Sequence, residues 1–582
     1  MFIKQIHIKG FRNFEDETIV FQKKTLIIGA NDVGKTNLLY ALRLLFDKTI
    51  SEHDLELSDS DYNAYSEAEL VEITVRLCEV TEECLLSIFK GDVKNGEILI
   101  RYSKKRGENY KIYTGYDENT LTEKTTRQYI KRINMQYVDT NRDLFSFLRR
   151  ERIQLLDIAR ERLSQAEQDD DQKKVEGIQE ELNQINQQVN ELKYISSALK
   201  DVNQKLTELS IHHEDQTLRF VAGESDADKL LENLSLAYLT DDNPLSIGGG
   251  GRKNQIFLAT WMAKQNIDKN IDHVTFYAIE EPESHLHPHQ QRKLSNYIQN
   301  SFEGQILITT HSPHIASKFE AENIVRLYLK NKYTFAACSG CSKMLEKIFS
   351  DFSYRLNVLS AEVFFSNGVL LVEGTSEVLF YTALSREIGI DLDRYNISIL
   401  SVEGVRFKHY IAVCDALRIP WALRTDNDIF PNSHKHIKYF AGVSRVMGII
   451  KELNLASYDL LDHWNMHESE NQWGEKVDTP QIAKELNQYI KRKAKEYGCF
   501  LAQKDLETDL AKGKLQKTLK DYYEKNRVDA LIKEMQKKKA ENMFSFLKKH
   551  HGKLNSLKDD EIIEPLRYLV QSIEKGVHPS GN

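Results

Sequence analysis

The sequence predicts a helix-rich α/β protein of two or three domains, and three features support this. A glycine-rich loop lies between a short apolar strand and a helix near the amino terminus. A run of apolar residues at heptad spacing interrupts the first half of the chain. The second half contains a new series of apolar strands, each followed by acidic residues. At 582 residues the chain is longer than one hydrophobic core normally organises.

The composition excludes several classes of protein. With 41% hydrophobic and 29% charged residues, the chain has the balance of a globular protein rather than a disordered one. The net charge of -8 argues against a protein that coats nucleic acid through bulk charge, although residues 533–549 form a basic tract. No apolar run is long enough to span a bilayer, so we expect no membrane partner and a cytoplasmic location.

The six cysteines are scattered and too few for a disulfide scaffold, which fits the cytoplasm. Cys338 and Cys341 are the only close pair. A plain thiol pair is the simpler interpretation, because no second pair stands at zinc-ligand spacing; a structural zinc is the alternative.

The first elements follow one another closely. Alternation of apolar and polar residues predicts a strand at Phe2–Ile8, a turn at Lys9-Gly10 and a second strand at Thr18–Phe21. A short apolar strand at Leu26–Ile28 and a helix at Asn37–Phe46 come next. The glycine loop therefore stands between a strand and a helix, as a phosphate-binding loop requires.

That loop reads GANDVGKT and fits the pattern G-x-x-x-x-G-K-[ST] at every fixed position. The glycines let backbone N–H groups approach the phosphates of ATP, the lysine reaches the β and γ phosphates, and the threonine hydroxyl is placed to coordinate Mg²⁺. The residues that we expect to bind the nucleotide here are Gly29, Asn31, Gly34, Lys35 and Thr36.

A buried strand at Val274–Ile279 is followed by two carboxylates, Glu280 and Glu281. Glu280 would hold the Mg²⁺ shell and Glu281 would orient or deprotonate the attacking water. An acidic pair after a strand is often an ordinary surface turn. The pair indicates an ATP site only because it occurs together with the glycine loop. His311 follows the strand Ile306–Thr310, where it would sense the γ phosphate or would serve as a core histidine.

The glycine run from Gly248 to Gly251, with Ser246 before it, offers backbone amides and a hydroxyl for a second phosphate contact. A flexible turn is the alternative interpretation. Between the loop and this run, residues 151–168 are predicted to be helical, and Asp169–Asp171 is predicted to separate them from the heptad that begins at Val175. The resulting helical hairpin is either a dimerising arm or a pair of helices packed on their own domain.

In the second half, strands are predicted at Val369–Val372, Asn396–Ser401 and Trp421–Arg424. The acids that follow them are Glu373 and Glu377, then Glu403 beside Gly404, then Asp426 and Asp428. Clustered carboxylates are the ligands that Mg²⁺ or Mn²⁺ needs, and two such ions can clamp a phosphodiester for hydrolysis. An Asp-x-Asp segment alone is more often a loop.

Several motifs carry a resemblance to a known family. The segments IHIKGFRNFEDETIVF, the glycine loop, IEEPESHLHP and ITTHSP together resemble the RecF, SMC and Rad50 branch of ABC ATPases, and within it the OLD (overcoming lysogenisation defect) family. The glycine run departs from the usual LSGGQ signature, and Glu280 replaces the commoner Asp. In such ATPases one subunit completes the ATP site of another, so the resemblance implies at least a dimer.

The acids of the second half are similar in order and spacing to a Toprim domain. The stretch KDLETDL resembles the acidic motif that completes the metal site of OLD nucleases, and QKKKAENM resembles the segment with their catalytic lysine. The resemblance implies Lys539 for that lysine, with Lys537 or Lys538 as alternatives, and catalytic roles for Glu373, Asp505 and Glu281. The implied metal ligands are Glu373, Glu377, Asp426, Asp428, Asp505 and Glu507.

The resemblance implies an ABC-type ATPase domain with a helical coiled-coil insertion, followed by a Toprim (Rossmann-like) domain with a helical carboxyl-terminal tail. The expected divisions are 1–150 and 216–348 for the ATPase, 151–215 for the insertion and 349–582 for the Toprim domain with its tail. The turn RTDND is most similar to the Gabija antiphage branch of the OLD family. That branch implies an ATP-regulated endonuclease acting on double-stranded DNA, a tetramer and a UvrD-like helicase subunit.

Two other functions stay open at this stage. A noncatalytic RecF-like or SMC-like ATPase could use the Toprim half as a scaffold, but retention of Glu373, Asp426, Asp428 and Glu507 favours the nuclease. A topoisomerase or primase would need a nucleophilic tyrosine domain or a zinc module. Neither signature is evident, although 26 tyrosines leave a nucleophile open.

Overall fold

The computed structural model describes most of the chain. The described residues are 1–140, 156–157, 159–209, 226–232, 238–240, 243–245, 251, 254–257, 259–260, 273–343, 361–404, 406–432, 436–453, 455 and 458–576. The chain divides into two compact units. The first comprises Met1–Val138, Asp272–Glu283 and Pro288–Asn582, and the second comprises Asp139–Ile271 and Ser284–His287.

The strands are numbered in chain order. They are β1 Phe2–Phe11, β2 Phe14–Val20, β3 Lys24–Ile28, β4 Leu70–Cys78, β5 Ile98–Lys105, β6 Lys111–Gly115, β7 Thr122–Lys124, β8 Ile133–Val138, β9 Tyr238–Thr240, β10 Asn243–Leu245, β11 Val274–Glu280, β12 Gln305–Thr309, β13 Ile324–Lys330, β14 Tyr333–Ala336, β15 Gly368–Val372, β16 Ile397–Ser401, β17 Trp421–Thr425, β18 Ile429–Asn432, β19 Ile437–Phe440, β20 Gln472–Gly474 and β21 Cys499–Leu501.

The α-helices within the described residues are numbered in the same way. They are α1 Lys35–Phe46, α2 Glu52–Leu55, α3 Glu83–Phe89, α4 Gln165–Glu191, α5 Lys193–Leu209, α6 Ala227–Glu232, α7 Pro288–Asn300, α8 Pro313–Ala316, α9 Thr375–Ile388, α10 Leu392–Tyr395, α11 Phe407–Ala416, α12 Ala441–Glu452, α13 Tyr458–His467, α14 Gln481–Ala494, α15 Leu506–Lys512, α16 Gln516–Tyr523, α17 Val528–Lys537, α18 Lys539–His550 and α19 Glu564–Lys575.

Two six-stranded sheets build the first half of the chain. One has the order β2-β1-β4-β5-β6-β7 and is antiparallel throughout. The other has the order β14-β13-β3-β12-β11-β8, and its strands run parallel except for the edge strand β14. Because β3, β12 and β11 are parallel neighbours, the segments that follow them meet at one carboxyl edge, where ligands bind in open α/β sheets.

A shared apolar core holds these sheets and α1 together. It includes Ile6 and Ile73 from the antiparallel sheet, Leu307 from the parallel sheet, and Leu39 and Leu42 from α1, all fully buried. Helix α1 can pack there because its apolar residues recur at helical spacing. This packing fixes the loop that precedes α1 between two rigid elements.

The second half contains a four-stranded parallel sheet of order β16-β15-β17-β21. Strands β15, β17 and β21 are buried along their whole length, and the edge strand β16 is partly buried. Helices from the carboxyl-terminal part of the chain cover the sheet, and the core joins Leu370 and Val372 to Phe380, Leu531 and Leu566. A small antiparallel sheet, β18-β19-β20, is inserted in the chain between β17 and β21. The predicted α/β fold class is confirmed.

The predicted turn at Lys9-Gly10 is wrong. Strand β1 continues to Phe11, which pairs with Phe14, and the turn is formed by Arg12 and Asn13. Gly10 stays within the strand because its φ of +68° suits glycine, and a Cβ there would run into the backbone carbonyl of Leu70 in β4.

The predicted break at Asp169–Asp171 is also wrong. Helix α4 begins after Ser164, whose side chain and that of Glu167 form a capping box, and it runs through the acidic residues without interruption. Glu167 in the first turn is also favourable because it faces the positive end of the helix dipole, and further along Asp170 and Asp171 pair with Lys174 at 2.7 and 3.4 Å. The described chain leaves helical geometry at Leu192 instead, which has extended backbone. Residues 151–155 and 158 of the predicted first helix lie outside the described residues.

No helix within the described ranges is long and apolar enough to cross a membrane. Cys338 and Cys341 have different surroundings: the thiol of Cys338 donates to the backbone oxygen of Ala416 at 3.1 Å, whereas Cys341 is buried beside the Thr25 hydroxyl at 3.7 Å.

Gly10 and Gly107 provide a matched pair for testing the close approach of β1 and β4. Both have positive φ, but a Cβ at Gly107 would meet nothing within 4 Å. We expect Gly107→Ala to cost about 1 kcal/mol through backbone strain alone, and Gly10→Ala to cost clearly more. The measurement is the apparent Tm of each variant by circular dichroism, and equal losses would contradict the clash at Leu70.

Candidate functional site

The glycine loop between β3 and α1 has backbone geometry that only glycine tolerates at two positions. Gly29 has a φ of +152° and Gly34 a φ of +96°. A Cβ at Gly29 would lie 2.5 Å from the Leu327 carbonyl oxygen, and one at Gly34 would run into the Asn13 side-chain amide. The loop therefore keeps its backbone N–H groups accessible to a phosphate.

Lys35, the first residue of α1, lies folded against its own loop. Its ammonium group donates to the backbone oxygens of Gly29 at 3.0 Å and Ala30 at 2.7 Å. Burial lowers its pKa to about 8, although the charges of Glu281 and Asp32 oppose that shift. An anion in the loop would favour the charged form of this lysine.

Six of the candidate nucleotide residues of the first half line one pocket of about 320 Å³. Asn31, Gly34, Lys35 and Thr36 line it together with Glu281 and His311. His311 Nε2 lies 3.5 Å from Glu281 Oε1. Burial, and then the charge of Lys35, lower the pKa of His311. Glu280 is buried at the end of β11.

The sequence interpretation gave no role to Glu283, which the structure places beside His311. Glu283 Oε1 accepts hydrogen bonds from the Thr310 hydroxyl and from the His311 backbone N–H, both at 2.7 Å. Burial raises the pKa of this carboxyl group. Its signal was the third acid of the EEPE stretch. Ser246 and Gly248 lie outside the described residues.

The second group of candidate residues stands at the carboxyl edge of the β16-β15-β17-β21 sheet. Glu373 follows β15, and its Oε1 accepts from the Thr425 hydroxyl at 2.5 Å, the Asp426 backbone N–H at 2.9 Å and the Arg445 guanidinium at 2.6 Å. The backbone N–H of Gly404, after β16, donates to the Glu373 carbonyl at 3.0 Å. Three parallel strands thus bring their carboxyl ends together, as predicted.

Lys539 extends into this carboxylate group from the start of α18. Its ammonium lies 3.3 Å from Glu507 Oε2 and 3.7 Å from Asp426 Oδ2. Lys537 and Lys538 instead pair with Glu534 and Glu541 at the exposed surface, at 3.0 and 2.8 Å. Of the three lysines that the sequence left open, Lys539 is the one beside the acids.

The carboxylates around Lys539 are poorly solvated. Burial, and then the charge of Glu373, raise the pKa of Asp426 to about 8, although Lys539 opposes the rise. Burial likewise raises the pKa of Glu507. Burial alone would lower the pKa of Lys539, but Glu507 and Asp426 raise it.

The remaining candidate metal ligands differ in their burial and in their hydrogen-bond partners. Asp505 caps α15, because its Oδ1 accepts from the Thr508 backbone N–H at 2.7 Å and its Oδ2 accepts from the Gln536 amide at 2.5 Å. Asp428 is more open, with Lys504 at 4.0 Å. Glu377 is buried and accepts from the Ser376 hydroxyl at 3.1 Å.

The donor set fits a hard divalent cation. Glu507 Oε2 faces the Lys539 ammonium at 3.3 Å, whereas Oε1 of Glu507 and Oδ1 of Asp426 are buried and accept no hydrogen bond from the described residues, although buried polar atoms normally have partners. Oxygen ligands of this kind suit Mg²⁺ or Mn²⁺. As they stand, no three Asp, Glu, His or Cys side chains of the described residues form a ligand set. Binding would therefore require small side-chain movements around Lys539.

Two arginines of this site were missed by the sequence interpretation. Arg445 binds Glu373, and the buried Arg424 donates to Asp509 at 2.7 Å, behind the carboxylate group. Arg424 had been quoted only as part of a turn. Arg445 lies within an ordinary amphipathic helix, so no local pattern could have singled it out.

Comparison with known proteins agrees with this architecture. The family described as "AAA domain, putative AbiEii toxin, Type IV TA system" matches residues 24–317, and the "Overcoming lysogenization defect protein-like, TOPRIM domain" matches residues 364–428. Endonuclease GajA of Bacillus cereus (strain VD045) is 26% identical over 540 residues, covering 88% of this chain and 89% of the relative.

Two further relatives are named as nucleases. The OLD nuclease of Thermus scotoductus is 24% identical, covering 74% of this chain and 82% of the relative. The Old nuclease of Escherichia phage P2 is 23% identical, covering 79% of this chain and 83% of the relative.

The lowered pKa of Lys35 predicts that ATP binding depends on pH. Below pH 8 the lysine is already charged in the free protein, so affinity should be constant. Above its pKa of about 8, binding must take up a proton, because the phosphates favour the ammonium form, and affinity should fall by about tenfold per pH unit. Titration with a fluorescent ATP analogue from pH 7 to 9.5 measures this.

Lys35→Ala should bind ATP weakly and without this pH dependence, whereas Lys23→Ala, at an exposed surface pair with Glu79, should behave like wild type. An unchanged slope in Lys35→Ala would refute the assignment.

The buried Glu507 carboxylate, whose Oε1 accepts no hydrogen bond from the described residues, predicts a second result. Glu507→Gln should weaken Mn²⁺ binding by about tenfold or more, because it removes a negative ligand from a poorly solvated site. Glu541→Gln is the matched control, since Glu541 pairs only with the neighbouring Lys538 at the exposed surface. Isothermal titration with Mn²⁺ distinguishes them, and equal affinities would exclude Glu507 as a ligand.

Proposed function

We propose that this chain, which belongs to the family described as AAA domain, putative AbiEii toxin, Type IV TA system, and which carries an OLD-like Toprim domain, is an ATP-binding, divalent-metal-dependent DNA endonuclease of the OLD family. The observation that carries the proposal is the group formed by Lys539, Asp426 and Glu507 at the edge of a parallel sheet. The nuclease names of its relatives agree with it.

In this proposal the metal ligands are drawn from the six acids Glu373, Glu377, Asp426, Asp428, Asp505 and Glu507. Bound Mg²⁺ or Mn²⁺ would activate water and neutralise charge on the phosphodiester. Lys539 lies where its ammonium can stabilise the negative charge that develops on the phosphate. Arg445 holds Glu373 by one oxygen, which leaves the other free to act as ligand or base. Asp505, held by the Thr508 N–H and Gln536, acts as an anchored carboxylate.

The first half binds ATP with Mg²⁺ through the loop of Gly29, Asn31, Gly34, Lys35 and Thr36. Glu280 holds the Mg²⁺ shell. Glu281, close to His311, is placed to orient water at the γ phosphate, and Glu283 fixes the backbone of His311. Because a second candidate active site lies in the Toprim half, nucleotide binding regulates cleavage rather than driving it. Ser246 and Gly248 of another subunit supply the second phosphate contact.

The assembly follows from that shared ATP site. The chain forms at least a dimer and, by analogy with the Gabija branch, a tetramer that works with a UvrD-like helicase subunit in antiphage defence. None of the described residues of α4 is buried, and Ile185 is 48% exposed on it, which supports a dimerising arm. We retain the division into 1–150, 151–215, 216–348 and 349–582, and a cytoplasmic location.

The alternative, a noncatalytic RecF-like or SMC-like ATPase, is not favoured. A noncatalytic ATPase would not require Lys539 to pair with Glu507 and Asp426. Burying several carboxylates close together costs free energy, and a purely structural domain has no function that requires this cost.

Plasmid cleavage in Mg²⁺ or Mn²⁺, with and without ATP, tests the proposal. We expect Glu373→Gln and Lys539→Gln to lose about 100-fold or more in rate, because each removes a charge at the reacting phosphate. Lys538→Gln, one residue away and exposed, should cut within about threefold of wild type. Lys35→Ala should cut but lose its response to ATP.

If wild type leaves every DNA form intact, or if Lys538→Gln and Lys539→Gln cut at the same rate, the nuclease assignment fails. Circular dichroism confirms that each variant is folded.

A further inference from the structure

A cavity of about 390 Å³ adjoins the ATP pocket, and Asn31 of the glycine loop lines both. One wall is the loop itself, around Asn31, and another is the end of β13, around Arg326 and Lys330. Asn367 and Arg418 of the Toprim half and Ile573 of α19 complete it. The size suits a small organic molecule.

The charge on this wall is of one sign. Arg326, Lys330 and Arg418 contribute to it, and none of the described residues that line it is Asp or Glu. Tyr328 lies on the same wall as Arg418; burial raises the pKa of this tyrosine, and the positive charge of Arg418 opposes that rise. Among the described residues these three cations form no ion pair.

Arg326 is the most deeply buried of the three. Its guanidinium donates to the backbone oxygens of Leu417 at 2.8 Å and Ser366 at 3.1 Å, but no described residue accepts from its Nε. Burial lowers its pKa to about 10, and no carboxylate offsets that loss. Backbone carbonyl oxygens carry only partial charges, so they accept from Arg326 without neutralising it.

The structural role of Arg326 as a cap for α11 does not account for Arg418 and Lys330. Neither is needed to hold that helix end, yet both face the same cavity wall. The rest of the wall is largely apolar, with Leu327 and Ile573 as contributors. A ligand that matches this wall has an anionic group at one end and an apolar body at the other.

We propose that this cavity binds a small organic anion, with its carboxylate or phosphate group at Arg418 and Lys330 and its apolar body against Leu329 and Ile573. Such a ligand would touch both the glycine loop and the Toprim half. Apart from Asn31, the lining residues differ from those of the ATP pocket and from the carboxylate group, and the proposal does not depend on nuclease activity.

The test uses 1-anilinonaphthalene-8-sulfonate, a fluorescent aromatic anion of suitable size, on the full-length protein. We expect saturable binding to wild type. Arg418→Gln and Lys330→Gln should each weaken it, by about tenfold for Arg418, because each removes a charged contact in a partly buried site. Arg418→Lys should retain most of the affinity.

Arg386→Gln, at an exposed arginine on α9, is the matched control and should bind within about twofold of wild type. Lys35→Ala should also keep the site, which separates it from the ATP pocket. Phenyl phosphate and benzoate, added as competitors, tell the two anionic groups apart. The proposal is overturned if binding is not saturable, if Arg418→Gln binds like Arg386→Gln, or if neither competitor displaces the probe.

Discussion

The contact of one ammonium group with buried carboxylates is the interaction on which the second half of this protein depends. Lys539 lies within ion-pair distance of both Glu507 and Asp426. Carboxylates taken out of water and placed side by side repel one another, and without a cation they would take up protons or drive the strands apart. The parallel sheet brings the acids together. Lys539, on a helix more than 100 residues along the chain from Asp426, supplies the positive charge that offsets the repulsion between them.

Both halves form their candidate sites at the edge of a parallel sheet. In each, a parallel sheet presents the ends of neighbouring strands at one edge, so residues distant in sequence meet there. The first edge carries the glycine loop, Glu281 and His311; the second carries Glu373 and Asp426. Strand β13 joins the two, because it pairs with β3 next to the loop and its Arg326 donates to backbone oxygens of the second half. A regulatory link between nucleotide and cleavage therefore has a short physical route.

Sequence patterns predicted well what depends on local chemistry. The loop from Gly29 to Thr36, the acids after β11 and the Asp426 segment all follow buried strands, whose apolar runs are easy to read. Patterns failed where tertiary context decided: Gly10 signals a turn, but in β1 it permits close approach to Leu70. The acidic run at Asp169 signals a loop, but the helix that starts behind the capping box of Ser164 and Glu167 continues through it.

Arg445 and Glu283 show a second limit. Each acts through a neighbour, one on the Glu373 carboxylate and the other on the His311 backbone, and no spacing rule connects them to those partners. The choice among the three adjacent lysines likewise depends on where a helix begins, which the sequence did not reveal. Lys539 is the first residue of α18 and points toward the acids, whereas its two neighbours face solvent.

The central claim, that these carboxylates form a metal centre shared with Lys539, is tested most directly by anomalous diffraction from crystals grown with Mn²⁺. The account predicts an anomalous peak bonded to oxygens of Glu507 and Asp426, with the Lys539 ammonium moved away from them. A peak elsewhere, or ordered crystals in which Lys539 keeps both contacts and no ion binds the carboxylates, would contradict it.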